Sequence, residues 1–233
     1  MRLFRAIALV SLVITRSVPA SDLPVTISVE HKLTRKRVTL SANAYERGVA
    51  VPIREAPVRD VLAYERSHVV VYLEDELSAT PRTEVIRQEN RQFVPNLVVV
   101  PAGSTVSFPN FDTIFHNVFS LSHPKAFDLG NYPKGQTRTV TFATLGLVLV
   151  NCRLHANMAA AILVTPNDFA AVSDADGRVL LRNVPPGPHT VVAWHKAAGY
   201  FRKSLTVQEG STAAVGFFIP LDEAGNPRAI ASR

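Results

Sequence analysis

The residues Leu147-Val148-Leu149-Val150-Asn151-Cys152-Arg153-Leu154-His155-Ala156-Asn157-Met158 lead through Ala159 into Ala160-Ala161-Ile162-Leu163-Val164. Two short apolar runs flank a loop rich in polar and sulfur-bearing side chains. Runs of four or five such residues, bounded by Asn and Gly, read as β-strands rather than helices. The same pattern extends outward in both directions. Upstream, Val25, Ile27 and Val29 alternate with Thr26 and Ser28, and Val38 and Leu40 alternate with Arg37 and Thr39. Val69 to Leu73 is a continuous buried-strand run. Leu97 to Val100 reaches a Pro101-Ala102-Gly103 turn, Thr105 to Phe108 resumes the strand, and Thr137 to Phe142 alternates again.

A second β-rich block follows Pro166. Asp176-Gly177 marks a turn before Arg178–Arg182, and Pro185-Pro186-Gly187 breaks the chain before His189–His195, Lys203–Val207 and Ala213–Ile219. Helix signals are few. Thr83 to Arg91 fits a turn or two of helix or a strand entering the next sheet, and residues 43–66 carry no readable pattern. Many short strands separated by Gly, Pro, Asn and Asp predict an all-β chain. The expected division is a leader over 1–20, an N-terminal β segment over 21–80 that pairs with 167–220, a β-sandwich over 83–166, a small β-module over 167–220, and a tail over 221–233.

The chain has 233 residues, 47% of them hydrophobic and 19% charged, which is enough for one large or two small cores and too apolar for disorder. Arg2 and Arg5, the apolar run Ala6 to Ile14 and Val18-Pro19-Ala20 read as a secretory leader. The run is too short to span a bilayer, and no other stretch reaches that length. The full chain carries 25 Lys and Arg against 19 Asp and Glu. Residues 1–20 hold three Arg and no acid, so the remainder has 25 − 3 = 22 bases against 19 acids, a net charge of +3. That is an ordinary surface, and nucleic acid is not an expected partner. An exported, periplasmic protein that does not span the membrane is expected.

One Cys allows no internal disulfide. Cys152 and Met158, the single Met left after Met1, lie six residues apart with His155 halfway between. His116, in Phe115-His116-Asn117-Val118-Phe119, is the best upstream partner. Two imidazoles, a thiolate and a weak axial thioether make the donor set of a blue-copper electron-transfer site. Cys152 alone would read as a buried structural thiol and Met158 alone as core packing. Together, at these spacings after an apolar strand, they read as ligands. His31, His68, His123, His189 and His195 read as surface or strand histidines, and the charged stretch His31 to Arg37 as a solvated hairpin or edge strand. GxSxG, HExxH and P-loop motifs are absent, so no enzyme is expected.

From about Thr83 to Thr165 the chain resembles the small cupredoxins of the plastocyanin/amicyanin family. The resemblance rests on Phe93-Val94-Pro95, Gly103 to Phe108, Asn110 through His116-Asn117-Val118, and Gly146 to Val150 followed by Cys152, His155 and Met158. It implies a cupredoxin Greek-key β-sandwich holding one type 1 copper ion. His116, Cys152, His155 and Met158 would be its ligands, and Asn117 would tie the two ligand loops together. The resemblance also implies one-electron transfer between redox partners, with a partner protein docking near the His155 edge on Phe115, Ala156 and Ala159. The chain departs from the family pattern at Arg153-Leu154, where a Pro is common; a cation there would raise the potential or guide an acidic partner. Ser173 to Gly177, Val184 to Gly187 and Val191–Trp194 resemble a carboxypeptidase-regulatory-like or transthyretin-like β-module. The whole chain resembles bacterial exported proteins of the plastocyanin-like or methylamine-utilisation-related kind. Two other functions fit the sequence: a copper-binding or storage protein that does not cycle, and a β-module that binds a partner or carbohydrate.

Overall fold

Val69–Leu73 (β2) is apolar and buried at every position. Successive side chains of a strand point to opposite faces, so a strand of this composition has both faces covered. Val69, Val71 and Leu73 enter one apolar cluster, while Val70 and Tyr72 enter another. The same division splits Leu97–Pro101 (β6), Ala159–Thr165 (β12) and Gly187–His195 (β15). Leu97 and Val99 share the cluster of Val70, whereas Val98 and Val100 face the other way. The computed structural model describes residues 20–31, 61–75, 77–210 and 213–221. The expected leader, the strand around Val38 and Leu40, the charged stretch after His31 and the tail after Leu221 fall outside these residues.

Four layers of sheet result. The first has Ser21–His31 (β1) between Arg178–Val184 (β14, antiparallel) and Val215–Leu221 (β17, parallel). The second runs Ala170–Val172 (β13), β2, β15, Gly199–Val207 (β16). The third runs β6, β12, Gly146–Asn151 (β11), His116–Ser120 (β8), Phe127–Tyr132 (β9). The fourth has Thr83–Val85 (β3), Ser104–Pro109 (β7) and Thr137–Phe142 (β10), with the hairpin Arg87–Glu89 (β4) and Gln92–Val94 (β5) beside it. Layers one and two form one sandwich around Ile27, Val71, Leu181 and Phe217. Layers three and four form the second around Phe108, Val118, Phe142, Val150 and Ile162. The two middle sheets meet through Val70, Tyr72, Leu97, Val99, Ala161, Leu163, Val192 and Trp194. The architecture is therefore all-β, a β-sandwich joined to a second, smaller one.

The stretch Thr83 to Arg91 is strand, β3 followed by β4, not helix. The single helix of the described residues, Val61–Arg66 (α1), lies in the segment without readable pattern. Its Glu65 meets His195 across the second layer.

The chain leaves the second layer after β2 and returns to it at β13, alongside β2 (Val70 opposite Val172). Asn167, fully buried, fastens the two crossings: its Nδ2 donates to the carbonyls of Leu73 (3.0 Å) and Asp75 (2.8 Å), and its Oδ1 accepts from Phe169 N (3.0 Å). On the far sandwich, Gly177 sits at φ +76°, and a Cβ there would come within 2.2 Å of the Ile27 carbonyl oxygen. Only glycine permits that approach, which lets Ile27 N donate to Gly177 O and seats β1 beside the turn into β14.

Candidate metal centre

β8 and β11 are antiparallel neighbours with Asn151 opposite Phe119. This register brings the start of β8 level with the residues that follow β11. His116 opens β8 and is fully buried; Cys152 follows β11 and is buried too. The loop from Cys152 closes on itself: Met158 N donates to His155 O (3.1 Å), and Cys152 N donates to Met158 O (3.2 Å). His155 therefore sits at the loop apex, half-buried, between two anchored ends.

The structure brings His116, Cys152 and His155 together, with one ligand atom from each within 4.8 Å of the others. His116 Nδ1 lies 3.1 Å from His155 Nδ1, and Cys152 Sγ lies 3.6 Å from His155 Nδ1. Donor atoms bonded to one transition-metal ion at about 2.0–2.3 Å stand about 3–4 Å from each other. The observed spacings fall in that range. Met158 is buried in the same apolar cluster as Cys152, at the foot of the loop. Soft sulfur together with imidazole suits copper, and an apolar surround keeps water from the sulfur. The residues present fit that ion.

Asn117 joins the two ligand segments. Its backbone N–H points at Cys152 Sγ (3.4 Å), its Oδ1 accepts from Arg153 N (3.4 Å), and its Nδ2 donates to Asp128 Oδ1 (2.7 Å). Asp128 also accepts from Gly130 N (2.9 Å) and from Arg153 Nε (3.1 Å). The Gly130 amide, then Asn117 and the Arg153 guanidinium, hold the Asp128 carboxyl below its usual range against the smaller opposing effect of burial. Arg153 further lies over the Phe119 ring, 4.5 Å from its centroid. The cation expected to guide a partner is thus matched by Asp128 and clipped to β8 and β9.

Asp112 was not legible as part of the site. Its Oδ2 lies 2.8 Å from His116 Nε2, the ring nitrogen away from Cys152 and His155. The one signal in the sequence is the spacing of four between Asp112 and His116. Partial burial pushes the Asp112 carboxyl up, but the Arg91 amide, the His116 ring and the Asn90 amide together draw it below the ordinary range. Desolvation, then the neighbouring His116 and Arg91, lower the pKa of His155, with Asp112 opposing. The unprotonated ring that a metal needs is favoured.

Around the centre, Phe115, Ala156 and Ala159 are exposed, as are Phe111 and Leu154 on the same two loops. Of the histidines read as surface or strand residues, His189 and His195 are buried. His189 Nδ1 meets Asp75 Oδ2 at 2.7 Å, and His195 Nε2 meets Glu65 Oε2 at 2.9 Å. Each carboxylate lets its ring point inward, which strand alternation alone does not reveal. Among the described residues no further cluster of His, Cys, Asp and Glu has metal-binding spacing, and no helix is long and apolar enough to cross a membrane.

The unit that carries these residues is the β-sandwich of layers three and four. No family model and no curated protein matches the chain. Among solved structures, it is similar to amicyanin from Paracoccus versutus (Thiobacillus versutus), with 23% identity over 40% of this chain and 96% of that one, TM-score 0.33. It is similar to a purple cupredoxin from Nitrosopumilus maritimus, with 20% identity over 35% of this chain and 99% of that one, TM-score 0.32. It is also similar to the Cu-containing nitrite reductase from Thermus scotoductus SA-01, with 23% identity over 38% of this chain, TM-score 0.34. The chain spans 23% of that reductase's length.

Proposed function

We propose that this protein is an exported, periplasmic electron carrier that holds one type 1 copper ion on His116, Cys152, His155 and Met158. The observation that carries the reading is the meeting of two imidazole Nδ1 atoms and a buried thiol at 3.1 and 3.6 Å. Bound there, copper supplies a one-electron couple between Cu(I) and Cu(II). The chain's own part is to hold the donors nearly fixed whichever charge the ion carries. His116 and Cys152 are set by adjacent strands, and Asn117 fixes one against the other. The buried Cys152 and Met158 exclude water, while half-buried His155 gives electrons a short way out. Export is supported by the basic, then apolar, start of the sequence. A redox partner docks on the exposed Phe115, Ala156 and Ala159 around His155; a small apolar contact suits brief encounters.

The test is the visible and EPR spectrum of the Cu(II)-loaded protein beside Cys152→Ser and Met158→Leu. An intense thiolate-to-copper band with narrow hyperfine splitting is expected, lost in Cys152→Ser and shifted in Met158→Leu. An ordinary tetragonal spectrum unchanged by Cys152→Ser would refute it. A true type 1 spectrum with slow electron self-exchange would move the function to copper storage.

A further inference from the structure

Asp112 is held by more groups than an ordinary loop carboxylate. Oδ1 accepts from Asn90 N (2.8 Å), and Oδ2 accepts from Arg91 N (2.8 Å) and from His116 Nε2 (2.8 Å). Asn90 and Arg91 are the two residues between Glu89 and Gln92, which pair across the β4–β5 hairpin. Both have positive φ, +55° and +56°, the signature of a tight two-residue turn of the primed type. Glycine normally stands at its second position, and Arg91 is a poor substitute. The carboxylate offsets this by receiving both amides of the turn. From the other side, Asp112 N donates to Asn110 Oδ1 (2.9 Å), and buried Asn110 is itself fixed on the carbonyls of Ile114 (2.9 Å) and Tyr132 (3.1 Å). The carboxylate is thus pinned in place before His116 meets it.

A carboxylate can only accept, so the proton of the His116 ring belongs on Nε2. Nδ1 is then bare, and it is Nδ1 that faces His155. Carboxylate–imidazole–metal relays of this kind orient the ring and strengthen its donor nitrogen, and their loss commonly costs 10–100-fold in metal affinity.

We propose that Asp112, clamped by the Asn90–Arg91 turn, is a positioning residue that fixes the His116 tautomer and biases the centre toward Cu(II). The proposal rests on the copper reading above for its redox part and stands without metal for its tautomer part. A stronger imidazole donor stabilises the more highly charged ion more, so it lowers the reduction potential.

The experiment uses the full chain, Asp112→Asn, and Glu84→Gln. The last removes the charge of a half-buried acid paired with Arg82 in the same sandwich (Arg82 Nε to Glu84 Oε1, 2.8 Å) and so measures the general effect of one lost anion. Long-range ¹H–¹⁵N NMR of the metal-free protein should place the His116 proton on Nε2 in the wild type. Titration with Cu(II) and Cu(I) should then show Asp112→Asn losing at least tenfold more affinity for Cu(II) than for Cu(I). That ratio reads as a rise of about 59 mV in the one-electron potential. Glu84→Gln should move it far less. A wild-type His116 proton on Nδ1, or a potential in Asp112→Asn that moves no more than in Glu84→Gln, would overturn the proposal. A wild-type protein without the thiolate band, but with the proton on Nε2, would sink the copper reading and the potential shift while leaving the positioning of His116 intact.

Discussion

Leu163→Ala tests whether the two sandwiches behave as one body. Leu163 is 1% exposed and lies in the apolar layer between the middle sheets, not inside either sandwich. Truncation removes three carbons from that layer. At about 0.8 kcal/mol for each buried methylene, the lost transfer is about 2.4 kcal/mol. β12 itself is hydrogen-bonded to β11 on one side and β6 on the other, so its backbone cannot shift to fill the space fully. A residual void of roughly 60 Å³ at about 24 cal/mol per Å³ adds about 1.4 kcal/mol. The sum is about 3–4 kcal/mol, which for a chain of this length lowers the melting temperature by roughly 8–15 °C. Differential scanning calorimetry of the metal-free protein should show a single transition moving by that amount. Trp194, the one tryptophan, sits in the same layer, so its emission should change together with the far-UV circular dichroism of all the strands. Leu149→Ala, at a β11 position that is 40% exposed, should stay within about 0.5 kcal/mol of the wild type. Two separate wild-type transitions, or a shift in Leu163→Ala as small as that of Leu149→Ala, would refute the reasoning.

Arg153→Ala cuts the clip to Asp128. Its charged partners are 57% and 43% exposed, so the cost in stability should stay below about 1 kcal/mol. The loop should loosen instead: amide hydrogen exchange at Leu154 and His155 is expected to rise several-fold, and unchanged exchange would show that the backbone bonds of the loop suffice. Acidification should weaken the protein through His195, whose pKa is lowered by burial, with Glu65 opposing. The unfolded ring titrates near about 6.5 and the folded ring lower, so the unfolded chain takes up the proton first. The contribution is complete above about pH 6.5 and is lost as the pH falls toward the folded value. His195→Gln should flatten urea-derived stability between about pH 6.5 and 5; an unaltered slope would count against it.

Most strands are readable because burial on one or both faces writes itself into the sequence. Val69–Leu73, Leu97–Val100 and Ala160–Val164 are apolar throughout because two clusters share them. Phe127–Tyr132 is not legible as a strand because it is the last of its sheet and fully buries only Tyr132. The short β3, β4 and β5 bury too few side chains to set a period. The proposed ligands His116, Cys152, His155 and Met158 stand out as rare residue types at telling intervals. Their supports, Asp112 and Asp128, do not. A carboxylate's role there depends on turns and registers far from it in sequence, such as Asn90–Arg91 and Gly130. The inward turn of His195 depended likewise on Glu65, in a helix with no clear pattern.

The two chain crossings fastened by Asn167 make the sandwich of layers three and four a guest within a host. The guest's strands, β3 to β12, are contiguous in the chain; the host's are split, and β1 must wait for β17 to lie beside it. As the chain emerges, the guest can complete itself first. Until the host closes, however, Leu97, Val99, Ala161 and Leu163 form a bare apolar face on the guest. Such a face invites association with other unfinished chains. β15, which brings Val192 and Trp194 to that face, follows the guest in the chain, and the interval before it docks is when the guest's face is most open to misassembly.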